Sequence, residues 1–274
     1  MRIGFIGAGA MAGAIVRGTI AAGTPADHIL LTGTEGTATR LAQATGAIEA
    51  ASNSDVVAGS DVVVLAVKPH VVPLVATEIS EAVRLHNPLI ASIAAGITTT
   101  RLEGILPEGA RVVRVMPNMA ATVGEAMSAL CAGSQASDGD LARARALMDS
   151  VGRTIVLEEK DFSTFTALSG SSPAFVFAFI EALARAGVLG GIPKAQAVDI
   201  VAQAVLGSAR TVQVEAARRA AGDPGRTPAD LIDAVSSPGG TTVAGLVAME
   251  RAGFSDAVIR GFEATVARDR QLGA

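Results

Sequence analysis

The chain opens with Ile3-Gly4-Phe5-Ile6-Gly7-Ala8-Gly9-Ala10-Met11-Ala12, an apolar stretch followed by a glycine turn and a helical pattern. Glycine at 7 permits a tight turn, glycine at 9 lets the backbone approach a ligand, and a small residue at 12 lets the helix lie against the strand. The helix predicted over roughly 10–22 directs its first free N–H groups at the turn, where they favour an anion. This pattern predicts a dinucleotide-binding turn at residues 7–11, with a purely structural turn as the alternative.

The composition is that of a globular protein with a large core. Of 274 residues, 50% are hydrophobic and 18% are charged, and the net charge of −4 argues against a nucleic-acid or anionic-membrane partner. The single cysteine, Cys131, excludes an internal disulfide and fits a reducing cytoplasm, so a cytoplasmic protein with a buried structural thiol is expected. Residues 1–6 already belong to the fold, and the apolar run Ala174–Ile180 is too short for a bilayer, so neither a leader nor a membrane segment is expected.

Residues 1–160 alternate short apolar strands with helical stretches. Near-continuous apolar strands joined by helices predict an α/β, Rossmann-type doubly wound and mostly parallel sheet, covered on both faces, whose ligands bind beyond the carboxyl ends of the strands. The predicted strands are Ile3–Ile6, Ile29–Thr32, Val62–Val67, Leu89–Ile93, Val112–Met116, Ala126–Ala132 and Thr154–Leu157.

Residues 161–274 form a second, all-helical domain in this interpretation. Gly190-Gly191 interrupts the helical pattern, and Pro193 and Pro228 suit first helical positions. Thr227 with Asp230 resembles a capping box. These helices are too apolar to be stable alone in water, so we expect the protein to dimerise through them.

The end of the second predicted strand bears on the nucleotide. It reads Thr32-Gly33-Thr34-Glu35-Gly36-Thr37, whereas NAD-binding chains usually carry an acidic residue there for the ribose 2′-OH. Thr34 and Thr37, with Arg40 nearby, could accept a 2′-phosphate that an aspartate would repel. The turn therefore favours NADP and leaves NAD open; an ordinary polar turn that binds nothing is the alternative.

Three polar residues are predicted at other strand ends. Lys68, alone among the three lysines, lies on the ligand edge after the fourth strand, beside the cofactor or simply extended into solvent. Asn53 follows a short third strand, where it reaches the adenosine ribose or caps a helix ahead of Asp55. Pro117 ends a strand and leaves Asn118 to contact the nicotinamide or to form an Asx turn.

The helical half contains Ser236-Ser237-Pro238-Gly239-Gly240-Thr241-Thr242, which leads into a helix. Two glycines free the backbone to turn its N–H groups inward, and the helix start adds partial positive charge. The segment is thus a cradle for a small carboxylate with the Thr242 hydroxyl beside it, or else a plain interhelical loop with a threonine cap.

Acid–base and metal chemistry have little support in this sequence. His28, His70 and His86 are expected to be solvated, and no Cys/His cluster has metal-ligand spacing, so no metal is expected. Hydride transfer needs little acid–base equipment when the acceptor already carries positive charge, a condition that an iminium meets.

With these segments assembled, the chain closely resembles the pyrroline-5-carboxylate reductase family, which catalyses the last step of proline biosynthesis. The resemblance covers nearly the whole chain in order, and its last two motifs are specific to the family. It is carried by Gly7-Ala8-Gly9-Ala10-Met11, Ala66-Val67-Lys68-Pro69-His70, Ser92-Ile93-Ala94-Ala95-Gly96-Ile97-Thr98, Met116-Pro117-Asn118, Leu168-Ser169-Gly170-Ser171-Ser172-Pro173-Ala174 and Ser237-Pro238-Gly239-Gly240-Thr241-Thr242.

The resemblance implies a Rossmann domain that binds the nucleotide and a helical domain that interlocks two subunits, with higher assembly of dimers common. It places residues 7–11 at the pyrophosphate, Thr34 near the 2′-phosphate and Asn53 near the adenosine ribose. On the nicotinamide side it places Ala66, Val67, Lys68, Pro69, Ala94 and Ala95. The second-strand turn departs from the more usual Ser/Asn-Arg-type sequence.

The resemblance implies that the loop containing Ser237 and Gly239 binds the substrate. Gly240 and Thr241 would hold the carboxylate through backbone N–H groups, and Thr242 would hydrogen-bond the ring nitrogen. NADPH would deliver hydride to the C=N carbon of pyrroline-5-carboxylate and so form L-proline, and another cyclic imine remains open as a substrate.

Two other functions compete with this interpretation. Hydroxyacid dehydrogenases of related architecture carry a lysine on the first long helix after the Rossmann domain, and residues 169–189 contain none. A non-catalytic NADP-sensing protein is the other, but a sensor needs no second anion site such as residues 237–242.

Overall fold

The computed structural model describes residues 1–273. Its sheet has the order β3-β2-β1-β4-β5-β6-β7-β8, and every neighbouring pair is parallel except the antiparallel pair β6–β7. The mostly parallel sheet is therefore confirmed, with strand ends that differ from prediction by at most two residues. The strands are β1 (Ile3–Ile6), β2 (Ile29–Thr32), β3 (Ile48–Glu49), β4 (Val62–Leu65), β5 (Leu89–Ser92), β6 (Arg111–Met116), β7 (Ala126–Ala132) and β8 (Gly152–Val156).

Helices connect these strands and cover both faces of the sheet. Side chains alternate across each strand: Val62 and Val64 of β4 pack with the cluster that includes α1, whereas Val63 and Leu65 pack with the cluster that includes α4. Because both faces are covered, the strands read as continuous apolar runs. The helices of this region are α1 (Ala10–Ala21), α2 (Thr37–Thr45), α3 (Asn53–Ala58), α4 (Val72–His86), α5 (Thr99–Glu103) and α6 (Asp138–Asp149).

A chain of interactions ties residues 159–165 to the sheet. The Glu159 carboxylate accepts hydrogen bonds from the backbone N–H and the hydroxyl of Thr99, each at 2.8 Å, and pairs with the Arg114 guanidinium at 3.1 Å. The same guanidinium lies 4.4 Å from the ring centre of Phe162, which is itself buried beside β7. This segment therefore packs as part of the region that contains the sheet.

Contacts between residues divide the chain later than the boundary predicted after residue 160. One compact unit comprises Met1–Ser171 together with the residues from Ala264 onward, and the other comprises Ser172–Glu263. The reason is the packing just described, which attaches the first turns of the long helix to the sheet. The sequence pattern indicates only where the strands end, near residue 160, whereas the contacts place the boundary after Ser171.

The second unit consists of helices only. Its helices are α8 (Ser172–Leu189), α9 (Lys194–Ala220), α10 (Pro228–Ala234), α11 (Thr241–Arg251) and the first part of α12 (Phe254–Gly273), while α7 (Phe162–Phe165) and the π-helix Thr166–Ser171 precede it. Thr227 and Asp230 form the predicted capping box, and Pro228 occupies the first turn of α10. Pro193, by contrast, is the residue before α9 rather than its first helical residue, because its ψ of 140° is extended.

Few side chains of the second unit are buried within the subunit. Among its described residues, only Ala184, Ala197, Val201 and Glu215 are buried, while Phe177 is 53% exposed and Leu206 is 61% exposed. Apolar surface on this scale marks an interaction face, because full burial of one large apolar side chain is worth about 1.5–3 kcal/mol.

One helix extends well beyond the apolar run Ala174–Ile180, which by itself is too short for a bilayer. The continuous helical stretch Glu159–Leu189 contains an 18-residue segment with a mean hydropathy of 1.5 and at most two charged side chains, so by length and composition it is long and apolar enough to cross a membrane. It exceeds the predicted apolar run because helical residues extend that run on both sides. One such helix is weak support for a membrane span, since helices covered by protein pass the same test.

Candidate active site

The sheet register brings the predicted ligand loops to one edge. Ile6 pairs with Leu65, Leu65 with Ser92, and Ser92 with Arg114, all in parallel strands. The loops that follow these strands therefore leave the sheet on the same side, at the carboxyl ends where open α/β sheets bind ligands. These loops begin at Gly7, Ala66, Ile93 and Pro117.

Gly7 makes the first turn possible. Its φ is +102°, and a Cβ added there would lie 2.6 Å from the Ala66 carbonyl oxygen, so both the backbone conformation and the space require glycine. Its N–H donates to the Thr32 carbonyl at 3.0 Å, which ties the turn to the end of β2. The predicted tight turn is confirmed, with Ala66 packed directly against it.

Gly9 differs from Gly7 because nothing inside the protein requires a glycine there. Its backbone is extended, with φ −78° and ψ −172°, and a Cβ added there would meet no atom within 4 Å. Gly9 is the N-cap of α1 and has no side chain to cap it, so the first N–H groups of α1 face open space. A cradle that a Cβ would fill, at the start of a helix, fits a dinucleotide pyrophosphate.

Asn53 joins the second strand to the neighbouring helices. Its Oδ1 accepts a hydrogen bond from the Thr32 hydroxyl at 2.7 Å, and its Nδ2 donates to Glu78 Oε2 at 3.0 Å. The alternative of an N-cap ahead of Asp55 is wrong, because Ser52 is the cap and accepts from the Asp55 N–H. Asn53 lies instead in the first turn of α3, held beside the end of β2.

The predicted 2′-phosphate turn is polar, but its hydroxyls are not all available. The single O–H of Thr37 donates to the Thr34 carbonyl at 2.7 Å, so it is not free to donate to an anion. Arg40 reaches back from α2, and its Nη1 donates to the Glu35 carbonyl at 3.1 Å. The Thr34 side chain is exposed.

A cleft of about 370 Å³ lies beside this turn and contains a residue that the sequence analysis missed. Its walls are the glycine turn, the face of α1 that carries Gly13 and Arg17, and the face of α2 that carries Arg40 and Leu41. Helical spacing was the available signal, because residues 10, 13 and 17 share one face of α1. Arg17 and Arg40 thus border one cleft next to the glycine turn.

The residues predicted on the nicotinamide side form the rest of this edge. Ala66 and Val67 contact the Gly7 turn, and Ala94 is buried with its N–H 3.4 Å from the Ser92 hydroxyl oxygen. Lys68 and Ala95 are exposed, and Pro69 begins a short 3₁₀ turn. The edge therefore offers small apolar residues, with the Lys68 ammonium in solvent.

Asn118 makes a connection that its surrounding sequence does not predict. Its Nδ2 donates to the backbone carbonyl of Ser169 at 3.0 Å and contacts the Ser169 hydroxyl at 3.2 Å, while that hydroxyl bonds the Met127 carbonyl at 3.2 Å. The Asx-turn alternative is therefore wrong. Asn118 Oδ1 is buried without a partner in the described residues, so it remains a free acceptor beside the π-helix. Short π-helices are frequent at functional sites.

Cys131 has the character of a structural thiol. It lies on β7, and its Sγ contacts the Ala132 carbonyl at 3.5 Å. Burial, together with the nearby Glu159 carboxylate, raises the pKa of the Cys131 thiol, which disfavours the reactive thiolate. Across residues 1–273, no group of three or more His, Cys, Asp or Glu side chains is arranged to hold a metal ion.

In the second unit, the predicted carboxylate cradle is an uncapped helix start. Gly239 has φ +69°, a left-handed conformation that glycine adopts without strain, and Gly240 is the N-cap of α11. No side chain of the described residues caps this helix, so the threonine-cap alternative is wrong. The Gly240 N–H already donates to the Ser237 carbonyl at 2.9 Å. The amides of residues 241–243, at the positive end of α11, are the ones left free for an anion.

Comparisons with known families agree with both halves of the chain. Residues 159–272 match the family described as pyrroline-5-carboxylate reductase dimerisation. Residues 2–96 match the family described as NADP oxidoreductase, coenzyme F420-dependent. The first match covers the helices with exposed apolar faces, and the second covers the glycine turn and the first five strands.

Individual proteins resemble the chain over its whole length. A pyrroline-5-carboxylate reductase of Methanosarcina acetivorans is 39% identical over 278 residues, covering 99% of this chain and 98% of the relative. The Arabidopsis thaliana reductase is 37% identical, covering 99% and 95%. The solved reductase structure from Coxiella burnetii superimposes with a TM-score of 0.91 at 32% identity, covering 100% and 98%. That from Plasmodium falciparum, which has NADP bound, gives 0.85 at 27% identity with the same coverage. The chain therefore belongs to the pyrroline-5-carboxylate reductase family.

Proposed function

We propose that this protein reduces the C=N bond of 1-pyrroline-5-carboxylate with NAD(P)H and so forms L-proline, the last step of proline biosynthesis. The observation that carries the proposal is the presence of two anion cradles in one chain. One is the open glycine turn at Gly9, and the other is the uncapped start of α11. A reductase of a small anionic imine needs both, one for the dinucleotide and one for the substrate carboxylate. The full-length similarity to reductases of this name supports the same reaction.

When bound, the reduced nicotinamide supplies the hydride that adds to the C=N carbon. The chain's own part is to bind and orient. The first amides of α1 hold the pyrophosphate through residues 7–11, Thr34 and Asn53 hold the adenosine ribose and its substituents, and the carboxyl-edge loops face the nicotinamide. Asn118 Oδ1, as a buried acceptor without a partner, is suited to receive an N–H of the carboxamide.

For the substrate, we assign the carboxylate to the backbone N–H groups of residues 241–243, where the loop Ser237–Thr242 enters α11. The positive end of α11 attracts the carboxylate, and Gly239 gives the turn its shape. The Thr242 hydroxyl lies on the first turn of α11 and hydrogen-bonds the ring nitrogen, which carries a proton after reduction. A hydroxyl is a weak acid at neutral pH, so Thr242 acts mainly by orienting the imine.

NADPH is the preferred cofactor in this proposal. The end of β2 carries no acidic residue at the position that would repel a 2′-phosphate, and the adjoining cleft is bordered by arginines. NADH remains a slower alternative, because the glycine turn holds the pyrophosphate common to both.

The protein forms a homodimer through its helical unit, and further association of dimers is expected from the family resemblance. Burial of the exposed side chains of α8 and α9 against a second copy would remove apolar surface from water. Such a dimer also gives the apolar stretch Glu159–Leu189 a protein covering, consistent with a cytoplasmic enzyme. Sedimentation as a monomer at micromolar concentration would contradict this part of the proposal.

Initial rates of NADPH oxidation with and without pyrroline-5-carboxylate test the reaction, and the same assay with NADH tests the preference. Thr242→Ala should lower kcat/KM by about 10- to 100-fold, the effect of losing one hydrogen bond to a charged group. Thr242→Ser, which keeps the hydroxyl, should have a kcat/KM close to that of the parent protein. Thr77→Ala is a matched control, because Thr77 is exposed on α4 and bonds only the Pro73 carbonyl. Nucleotide binding without imine-dependent oxidation would instead favour a sensor.

A further inference from the structure

We propose that Arg17 and Arg40 together bind the 2′-phosphate of NADP, so that two guanidinium groups, in addition to Thr34 of the second-strand turn, make the protein prefer NADPH. This inference rests on the proposed function, because it concerns the same nucleotide site. It adds a residue, Arg17, that neither the glycine turn nor the family motifs indicate.

The position of the cleft supports this assignment. It is continuous with residues 8–10 of the glycine turn, so a nucleotide whose pyrophosphate lies there has its adenosine ribose nearby. A Cβ added to Gly33 would lie 3.3 Å from the Ala8 Cβ, which shows how closely the end of β2 approaches that turn. The 2′ position of the ribose is read at this strand end.

Charge supports it as well. No carboxylate lines the cleft, and Arg17 makes no hydrogen bond or ion pair with any described residue. Among the described residues, Arg40 donates only to the Glu35 backbone carbonyl, so no carboxylate there compensates its positive charge. Two unpaired guanidinium groups bordering one cleft match a phosphate that carries a charge of about −2, since arginine donates in the fork geometry that phosphate oxygens accept.

The helix surface is shaped to let Arg17 point toward the cleft. A Cβ added to Gly13 would lie 3.3 Å from Arg17 Nη1 and 3.4 Å from Nη2, so the guanidinium lies along α1 over the place where a side chain is missing. This direction leads back toward the N-terminal turn of α1. The hydroxyl of Thr37, by contrast, is already used as a donor within the turn.

Calorimetric titration with two nucleotide fragments tests the proposal without a turnover assay. Adenosine 2′,5′-bisphosphate contains the extra phosphate, and adenosine 5′-phosphate lacks it. Arg17→Gln and Arg40→Gln should each lower the affinity for the bisphosphate by about 10-fold or more, the effect of losing a charged hydrogen bond. Each should change the affinity for adenosine 5′-phosphate by less than about twofold. Arg17→Lys should recover part of the loss, because it restores the charge without the fork.

Arg153→Gln is the matched control. Arg153 is exposed on β8 and outside the cleft, so its loss removes the same charge without touching the proposed site. Arg153→Gln should bind both nucleotide fragments with affinities within about twofold of those of the parent protein. Equal weakening of the two fragments by Arg17→Gln, or unchanged bisphosphate affinity in Arg17→Gln, would overturn the proposal. An enzyme that reduces the imine equally well with NADH and NADPH would overturn it too, while leaving the reductase function intact. Absence of imine reduction would end the proposed function, and the fragment titrations would still decide the role of the arginines.

Discussion

Replacing each glycine of the opening turn by alanine should separate the turn's role in folding from its role in binding. Gly7→Ala should destabilise the protein, because the new methyl group has no room and the backbone conformation disfavours it. Gly9→Ala should leave stability unchanged and weaken nucleotide binding, because the new methyl group occupies the open space in front of α1. Each variant adds a single methyl group to the chain, and the two positions lie two residues apart, so the comparison is closely matched.

The magnitudes follow from the geometry. At Gly7, the φ of +102° costs about 1–3 kcal/mol for a residue with a side chain. The overlap with backbone atoms of Ala66 adds about 1–3 kcal/mol, because these atoms are held by the Ala66 N–H bond to the Ile6 carbonyl at 2.8 Å. The total loss of unfolding free energy is about 2–6 kcal/mol. At Gly9, stability should stay constant or rise by up to about 1 kcal/mol, while NADPH affinity falls by about 10- to 100-fold.

The composition makes both measurements simple. The chain has no tryptophan and no tyrosine, so far-UV circular dichroism is the appropriate probe of unfolding, and the fluorescence of NADPH can be titrated without protein emission. Protein concentration must be the same for all variants, because association shifts the apparent stability. A Gly9→Ala variant that binds NADPH like the parent would refute the assignment of the open space to the pyrophosphate. A Gly7→Ala variant of unchanged stability would refute the steric argument.

Further predictions concern the polar interactions. Asp140→Asn should lower the free energy of unfolding, measured by urea titration, by about 1–3 kcal/mol. The reason is that this carboxylate is 2% exposed and takes part in both the α6 capping box and an ion pair with Arg111. Arg143→Gln, which removes an exposed ion pair with Asp140 at 3.6 Å, should lower it by less than about 1 kcal/mol. Hydrogen bonds from Arg226, together with the positive charges of Arg218 and Arg226, hold the pKa of Glu215 below its ordinary value. The stability that this carboxylate contributes is therefore present above about pH 4.3 and is lost as pH falls through the lowered pKa. Glu215→Gln should therefore flatten the acid side of the stability profile, and an unchanged profile would contradict this. Asn118→Ala should lower the unfolding free energy more than Ser169→Ala, since the latter keeps the backbone carbonyl acceptor at 3.0 Å; the reverse order would contradict it.

Local sequence patterns were sufficient for the elements and for the cofactor turn. The strands β1, β2 and β7 begin and end where predicted, and the capping box at Thr227 forms as predicted. These features depend on neighbouring residues only: apolar runs, turn-forming glycines and capping side chains act over a few positions in the chain. The alternatives at Asn53 and Asn118 failed for the opposite reason, since a local turn or cap competes with partners that are distant in sequence.

Distant contacts decided the rest of the candidate site. Asn118 is bound by Ser169, 51 positions later, and Asn53 is bound by Thr32, 21 positions earlier. Arg17 borders the same cleft as Arg40 only because α1 and α2 lie side by side on one face of the sheet. No periodicity in the sequence predicts such contacts between distant residues, because they depend on how the formed helices and strands pack against one another.

By itself, the sequence determined the α/β class, the glycine turn, the carboxyl-edge loops and the helix that follows Gly239-Gly240, because each follows from backbone preferences of adjacent residues. Only the tertiary structure decided which donors and acceptors remain free. The Gly240 amide and the Thr37 hydroxyl are used inside their own turns, whereas Arg17 and Asn118 Oδ1 have no hydrogen-bond partner among the described residues. The physical reason is that hydrogen-bond capacity is consumed when elements pack, so a ligand is bound by the groups that folding leaves unsatisfied.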